Sequence, residues 1–234
     1  MSVYVFESPR FPKIGKIDYS DYWRDRGFQI NSRLKEREVI MQHLVPRGSK
    51  VFDIGCGNSR LPIVLAKEKA CTVTVGDVSP IVLDGFRAAG IGAQVIDLSR
   101  IGEAQVDSSY DIIIMSEVLE HMANPEEIIQ KLTPHTKRFL LTIPNSAFYP
   151  FRLRLFFGGR FLKQWVHHPS EHVRFWSHSD FLEWLGVQGL SVEQAIPSNG
   201  LSVRGLFPWL KDFLPNLFGH QIVYLCAVRP SKES

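Results

Sequence analysis

The sequence is short of the features that would make its class obvious. It has three cysteines, Cys56, Cys71 and Cys226, far apart and with no C-x-x-C pair. A disulfide framework or a cysteine zinc centre is therefore not expected, and a reducing cytoplasm is the natural compartment. No apolar run approaches the roughly 18 residues needed to span a bilayer, so no integral membrane protein is expected. The start, Met1-Ser2-Val3-Tyr4-Val5-Phe6-Glu7, meets Glu7 and Pro9 too early for the apolar stretch of a signal peptide. Charge of one sign is also lacking. The formal net charge is +3, too mild to point to nucleic acid. There is no internal repeat and no low-complexity segment. What remains is ordinary: 234 residues, 44% hydrophobic and 22% charged, the size and balance of one soluble α/β domain.

The chain alternates between two periodicities. Residues 1–30 mix aromatics with charges, notably Tyr19, Tyr22, Trp23, Arg24, Asp25 and Arg26, and read as an arm. An amphipathic helix is predicted from about Asn31 to Leu44, with Leu34, Val39, Ile40 and Leu44 apolar and Arg33, Lys35, Glu36, Arg37 and Glu38 on the solvated side. Strands are predicted at Lys50–Ile54, Cys71–Asp77, Ala93–Asp97, Tyr110–Met115 and Arg138–Pro144. Helices fall between them at Arg60–Ala70, Ser79–Ala89 (Ser79 as N-cap, Pro80 at the first turn) and Pro125–Leu132. A helix at Asp180–Leu185 and strands at Leu190–Ala195 and His220–Val228 complete the series. Such alternation specifies a parallel sheet covered on both faces. The main domain is expected over 31–230, with cap insertions near 146–178 and 197–219.

In a doubly wound sheet, ligands bind beyond the carboxyl ends of the strands. The first strand ends in Asp53-Ile54-Gly55-Cys56-Gly57, but Arg60 stands where a dinucleotide fingerprint has its third glycine. No Gly-Lys-Ser/Thr follows either, so a phosphate-cradling loop is excluded. A nicotinamide dehydrogenase is further disfavoured by the lack of a Tyr-x-x-x-Lys pair. The second strand ends at Asp77, 22 residues beyond Gly55, where a carboxylate can accept both ribose hydroxyls. The third ends at Asp97, which can accept from an adenine amino group. One such acid is an ordinary loop or capping residue; three at one sheet edge form a pattern.

These segments, with Tyr110-Asp111-Ile112-Ile113-Ile114-Met115-Ser116-Glu117-Val118-Leu119-Glu120-His121, resemble the class I S-adenosylmethionine-dependent methyltransferases over roughly residues 35–228. The resemblance implies a Rossmann-like doubly wound sheet of seven strands, order 3-2-1-4-5-7-6, with the last strand antiparallel. It implies S-adenosylmethionine as cofactor and S-adenosylhomocysteine as product. It assigns Asp53 to the methionine moiety, Gly55, Cys56 and Gly57 to the close approach, Asp77 and Val78 to the ribose, Asp97 and Leu98 to the adenine, and Ser116 and Glu117 to the loop beneath the sulfonium. Ile143-Pro144-Asn145, Phe151 to Arg160 and Leu214 to Gln221 are similar to the MetW group of this superfamily. That branch implies an alternative role, as a regulatory partner of a homoserine acyltransferase. Glu171 to Ser177 resembles a segment shared by several methyltransferase branches, whereas Glu117 to His121 follows the small-molecule methyltransferases instead of MetW.

Methyl transfer to a hydroxyl needs alignment and usually a base. His121, just past the fourth strand, and His172, in the cluster His167-His168-Pro169-Ser170-Glu171-His172, are the candidates. Either can equally be a packed structural histidine, and the residues do not choose a base. The spacing of the imidazoles in that cluster also allows metal binding, but no carboxylate–histidine signature of a known metal site is present, so no metal is expected. Tyr22, Asn145, Arg152, His168 and Trp176 are the candidate acceptor-side residues. Arg152, Arg154, Arg160 and Lys163 interleave with Phe156, Phe157, Phe161 and Trp165. This segment suits a cap helix, an anionic acceptor, peripheral membrane contact, RNA contact or a protein partner. With the apolar Leu206 to Leu214 it points to a small-molecule acceptor, or one linked to a lipid or glycan.

Overall fold

A computed structural model describes residues 18–103, 106, 108–159, 172–200 and 209–229. The expected His168, with His167, Arg160, Phe161, Lys163 and Trp165, lies outside these residues, as does the start of the second apolar segment. Among the described residues the strands form one seven-stranded sheet in the order β3-β2-β1-β4-β5-β7-β6. They are β1 (Lys50–Ile54), β2 (Thr72–Asp77), β3 (Gly92–Val95), β4 (Tyr110–Ser116), β5 (Thr136–Pro144), β6 (Leu190–Ser198) and β7 (Gln221–Val228). β1 pairs in parallel with both β2 and β4, whereas β7 runs antiparallel between β5 and β6. This is the strand order and the antiparallel strand that the sequence predicted.

Side chains of each central strand alternate between two cores, as strand geometry requires. Phe52, Ile54, Ile113 and Met115 pack on one face with α5 (Pro125–Leu132) and α7 (His178–Val187), through Ile128, Ile129, Phe181 and Leu185. Val51, Ile112 and Ile114 pack on the other with α2 (Glu36–Leu44), α3 (Leu61–Lys69) and α4 (Pro80–Ala88), through Met41, Leu61, Leu65, Val82 and Phe86. Strands buried on both faces explain the unbroken apolar runs.

Five points differ from or add to the expectation. The first helix of the domain starts at Glu36, not Asn31, because residues 31–35 are spent joining it to the glycine turn: Asn31 N donates to Asn58 O at 3.0 Å. Its buried residues are Glu38 and Met41, while Val39 is 38% exposed, so Glu38 is turned inward although Arg33, Lys35 and Glu36 are exposed as expected. β3 stops at Val95, short of Asp97, because Asp97 begins a tight turn and accepts from Ser99 N at 2.9 Å. Ser79 holds the N-cap position of α4, yet its hydroxyl makes no capping bond; Asp77 instead accepts from Ser79 N at 2.9 Å. The arm contains a further helix, α1 (Tyr19–Asp25), whose start is capped by Asp18 accepting from Ser20 N and Asp21 N.

Candidate functional site

A cleft of about 1200 Å³ opens at the carboxyl ends of β1, β2 and β4. At its floor Gly55 and Gly57 hold φ of +68° and +49°, in the left-handed region that glycine enters without cost. Gly55 N donates to Gly76 O at 2.7 Å, tying the turn to β2. A Cβ on Gly57 would sit 3.1 Å from the indole of Trp23. The helix α1 thus lies against the glycine turn, and Tyr19, Tyr22 and Trp23 form one wall of the cleft. Trp23 is held edge-on between Tyr22 and Phe28, with ring centroids 5.1 and 5.4 Å away.

All ten cofactor-side residues expected from the sequence line this one cleft: Asp53, Gly55, Cys56, Gly57, Asp77, Val78, Asp97, Leu98, Ser116 and Glu117. Asp53 is 2% exposed, and burial, with the nearby charges of Glu38 and Asp77, holds its carboxyl well above the ordinary carboxylate range. Asp77 is raised by burial against the opposing pull of backbone N–H donors from Ser79, Gly57 and Val78. Burial, with the nearby charges of Asp53 and Asp77, also pushes the Cys56 thiol well up, which disfavours its thiolate. Buried acids near one another favour a cation between them.

Cations stand at one rim. Lys35 and Arg37 line the cleft, and Arg37 Nε donates to Ser116 Oγ at 3.1 Å. Glu38 accepts from Lys35 N at 2.7 Å and from Ser59 Oγ at 2.9 Å, which turns the charged side of α2 inward. Sequence reasoning missed Lys35, Arg37 and Glu38, reading them as a solvated face. A local signal was present in Glu38, whose carboxylate accepts from the N–H of Lys35 three residues earlier.

Glu117 occupies the left-handed region at φ +58°. The conformation is held by its N–H donating to Thr142 O and Oγ1, at 3.1 and 3.0 Å, and by Gln221 Nε2 donating to Glu117 Oε2 at 2.6 Å. The chain then makes a single turn over Leu119–His121 that delivers His121 to the cleft. Glu120 O accepts from Val173 N and Arg174 N, at 2.9 and 3.0 Å, drawing the returning chain onto this turn. His172 therefore meets His121 edge-on, with ring centroids 4.7 Å apart. Burial, reinforced by His121, lowers His172 to about 4, so its imidazole is neutral at pH 7. Glu120 is 1% exposed and pushed well up by burial and by Glu117. One ligand atom from each of Glu120, His121 and His172 lies within 4.8 Å of the others, a constellation that sequence spacing did not reveal.

Of the acceptor-side expectations, Tyr22 lines the cleft and three others do not. Asn145 is completely buried and works as a staple: its Nδ2 donates to Gly219 O at 2.8 Å and to Pro215 O and Asn216 O, each at 3.2 Å, while its Oδ1 accepts from Ala147 N and His178 N. Arg152 donates to Ala147 O and Asn216 O, and lines a separate hollow of about 420 Å³ on α6 (Tyr149–Gly158). Trp176 is in the core against Phe181 and Trp184, because its backbone bridges to Asn145 beside β5.

The acids carry a pH signature whose sign follows from linkage. Asp53 has a raised pKa in the native chain, so the native state holds a proton that the unfolded state has already lost. Its contribution to stability is complete below the ordinary carboxylate pKa and disappears as pH rises through the raised value. Urea midpoints of the ligand-free protein, followed upward from about pH 4, should fall less steeply with pH in Asp53→Asn than in the wild type. Parallel curves would show that Asp53 titrates as in the unfolded chain.

This sheet order, with the ligand cleft over a glycine turn and acids at successive strand ends, is that of the class I S-adenosylmethionine-dependent methyltransferases, and the chain is one of them. Residues 35–226 match the family described as "Methionine biosynthesis protein MetW", and the chain belongs to that family. Among curated relatives, a ubiquinone biosynthesis O-methyltransferase of Coxiella burnetii is 31% identical over 73% of this chain and 80% of its own length. One of Xanthomonas axonopodis is 29% identical over 67% and 68%. A TehB-like methyltransferase from Corynebacterium glutamicum shares the fold at 18% identity, with a TM-score of 0.56 over 90% of this chain and 96% of that one. A methyltransferase from Mesorhizobium loti does so at 14% and 0.57, over 82% and 97%. Among the described residues, no helix is long and apolar enough to cross a membrane.

Proposed function

We propose that this methyltransferase acts on an oxygen of a small-molecule acceptor, free or carried on a lipid or glycan, and that Asp53, Asp77 and Asp97 hold the cofactor. The observation that carries the cofactor assignment is the convergence of the three acids on the glycine turn in one cleft. Asp77, beside Gly57 N, takes the ribose hydroxyls, and Asp97 the adenine edge. Asp53 and Glu38 face the cationic head, while Lys35 and Arg37 supply the charge that suits its carboxylate. The cofactor, when bound, supplies a methyl carbon activated by a sulfonium. The chain aligns an acceptor with it, excludes water by closing α1 over the turn, and offers His121 to take the hydroxyl proton as the new C–O bond forms and the C–S bond breaks.

The choice of oxygen is supported by the names of the curated relatives. An apolar portion of the acceptor is supported by the exposed aromatic edge of α6, where Phe156 and Phe157 are 81% and 79% exposed. The test is an acceptor panel with labelled S-adenosylmethionine: phenols with and without long apolar tails, sugars and amines, read by label transfer and mass. Turnover on a hydroxyl, reduced about 100-fold or more in His121→Ala, supports the reading. Transfer only to nitrogen or sulfur overturns it. The family match favours a second role through a protein partner. Co-purification with a homoserine acyltransferase, without turnover on any acceptor, would replace the first reading by the second.

A further inference from the structure

We infer that Glu120, His121 and His172 form a binding site for one divalent transition-metal ion at the acceptor end of the cleft. Glu120 is 1% exposed, and among the described residues neither of its carboxylate oxygens has a hydrogen-bond partner. His172 Nδ1 is buried and unpartnered as well. One turn earlier Glu117 Oε1 is also without a donor, and its charge acts on Glu120. Three buried atoms, Glu120 Oε1 and Oε2 and His172 Nδ1, are therefore withdrawn from water in one cluster, at a cost that buried polar groups rarely carry unpaired. A single cation would satisfy them together.

The geometry agrees. Glu120 Oε1 lies 4.0 Å from His121 Nε2, and one atom from each of the three residues is within 4.8 Å of the other two. Ligands about 2.0–2.2 Å from a common ion stand roughly 3–3.5 Å apart, so the side chains close by about 1 Å on binding. The backbone already holds them together, through Val173 N and Arg174 N on Glu120 O. Two imidazoles and a carboxylate select manganese, iron, cobalt or zinc over magnesium and calcium, which prefer oxygen alone. Three protein ligands leave coordination positions open, and His121 turns them to the cleft. The chemical class that fits there is an acceptor oxygen or a water. The site goes beyond the methyl-transfer reading, since metal binding requires no turnover and no cofactor. With an ion bound His121 is a ligand, so its role as proton acceptor belongs to the metal-free form.

The full chain, without a histidine tag and dialysed against chelator, is titrated with Mn2+, Zn2+ and Mg2+ by calorimetry, with Mn2+ electron paramagnetic resonance as a second readout. One Mn2+ or Zn2+ per chain is expected, at least tenfold tighter than Mg2+. Both Glu120→Gln and His172→Gln should weaken it tenfold or more. Glu120→Gln keeps the size and polarity of the buried side chain, so its metal-free melting temperature should stay near that of the wild type while the rise on adding Mn2+ disappears. That pairing separates a lost ligand from a lost fold. No saturable binding, or binding that both variants retain, overturns the site.

Discussion

Asp77→Ala is expected to weaken binding of S-adenosylmethionine by about 5- to 150-fold, the equivalent of about 1–3 kcal/mol for removing a buried acceptor from paired donors. Asp77 is 8% exposed at the end of β2, with Oδ2 3.3 Å from Gly57 N and Oδ1 2.9 Å from Ser79 N. The long contact to Gly57 leaves Oδ2 available to a ribose hydroxyl. Removing the carboxylate also strips Ser79 N of its acceptor at the start of α4, so part of the loss belongs to the protein. Asp77→Asn separates the two. It retains an oxygen for Ser79 N but replaces the other by a donor, so its melting temperature should stay near the wild type while affinity falls nearly as far as in Asp77→Ala. Calorimetry checks the affinity and thermal unfolding the stability. Unchanged affinity in both variants would remove Asp77 from the cofactor site.

Gly55→Ala is expected to lower stability by about 2–4 kcal/mol, the sum of a left-handed alanine and overpacking. A Cβ there would stand 2.7 Å from Val118 Cγ2, closer than any real contact, and φ is +68°. Val118 joins Glu117 to the turn that presents His121, so the displacement passes from the cofactor end of the cleft to the acceptor end. The double variant Gly55→Ala/Val118→Ala relieves the collision and leaves the backbone strain. It should recover part of the cofactor affinity and not all of it. Urea unfolding and calorimetry on the three proteins provide the comparison, and a Gly55→Ala protein as stable as the wild type would contradict the geometry.

The frame of the molecule was legible because strands buried on both faces leave continuous apolar runs, and acids or glycines interrupt them where the sheet meets the cleft. Asp53, Asp77 and Asp97 could be read for that reason, although β3 ends before Asp97. The second helix was not legible in its contacts. Glu36, Arg37 and Glu38 look like a solvated face, and only the packing of Met41 beneath the sheet shows that Glu38 and Arg37 turn toward the cleft. Periodicity reports amphipathicity, and here a polar face is what the cavity requires. Long-range assemblies were hidden for a related reason. His172 reaches His121 through hydrogen bonds to Glu120 O, and Asn145 holds carbonyls some seventy residues away, contacts that no local spacing encodes. Trp176 resembled an acceptor-side residue by its motif but was claimed by the core.

The central claim is a cleft that accepts an adenosyl sulfonium and not a dinucleotide. Calorimetric titration of the chain with S-adenosylmethionine, S-adenosylhomocysteine and NADH tests it most directly. The account predicts one saturable site per chain for both sulfur ligands and no detectable binding of NADH. Heat from NADH at the same site, or none from either sulfur ligand, would contradict it.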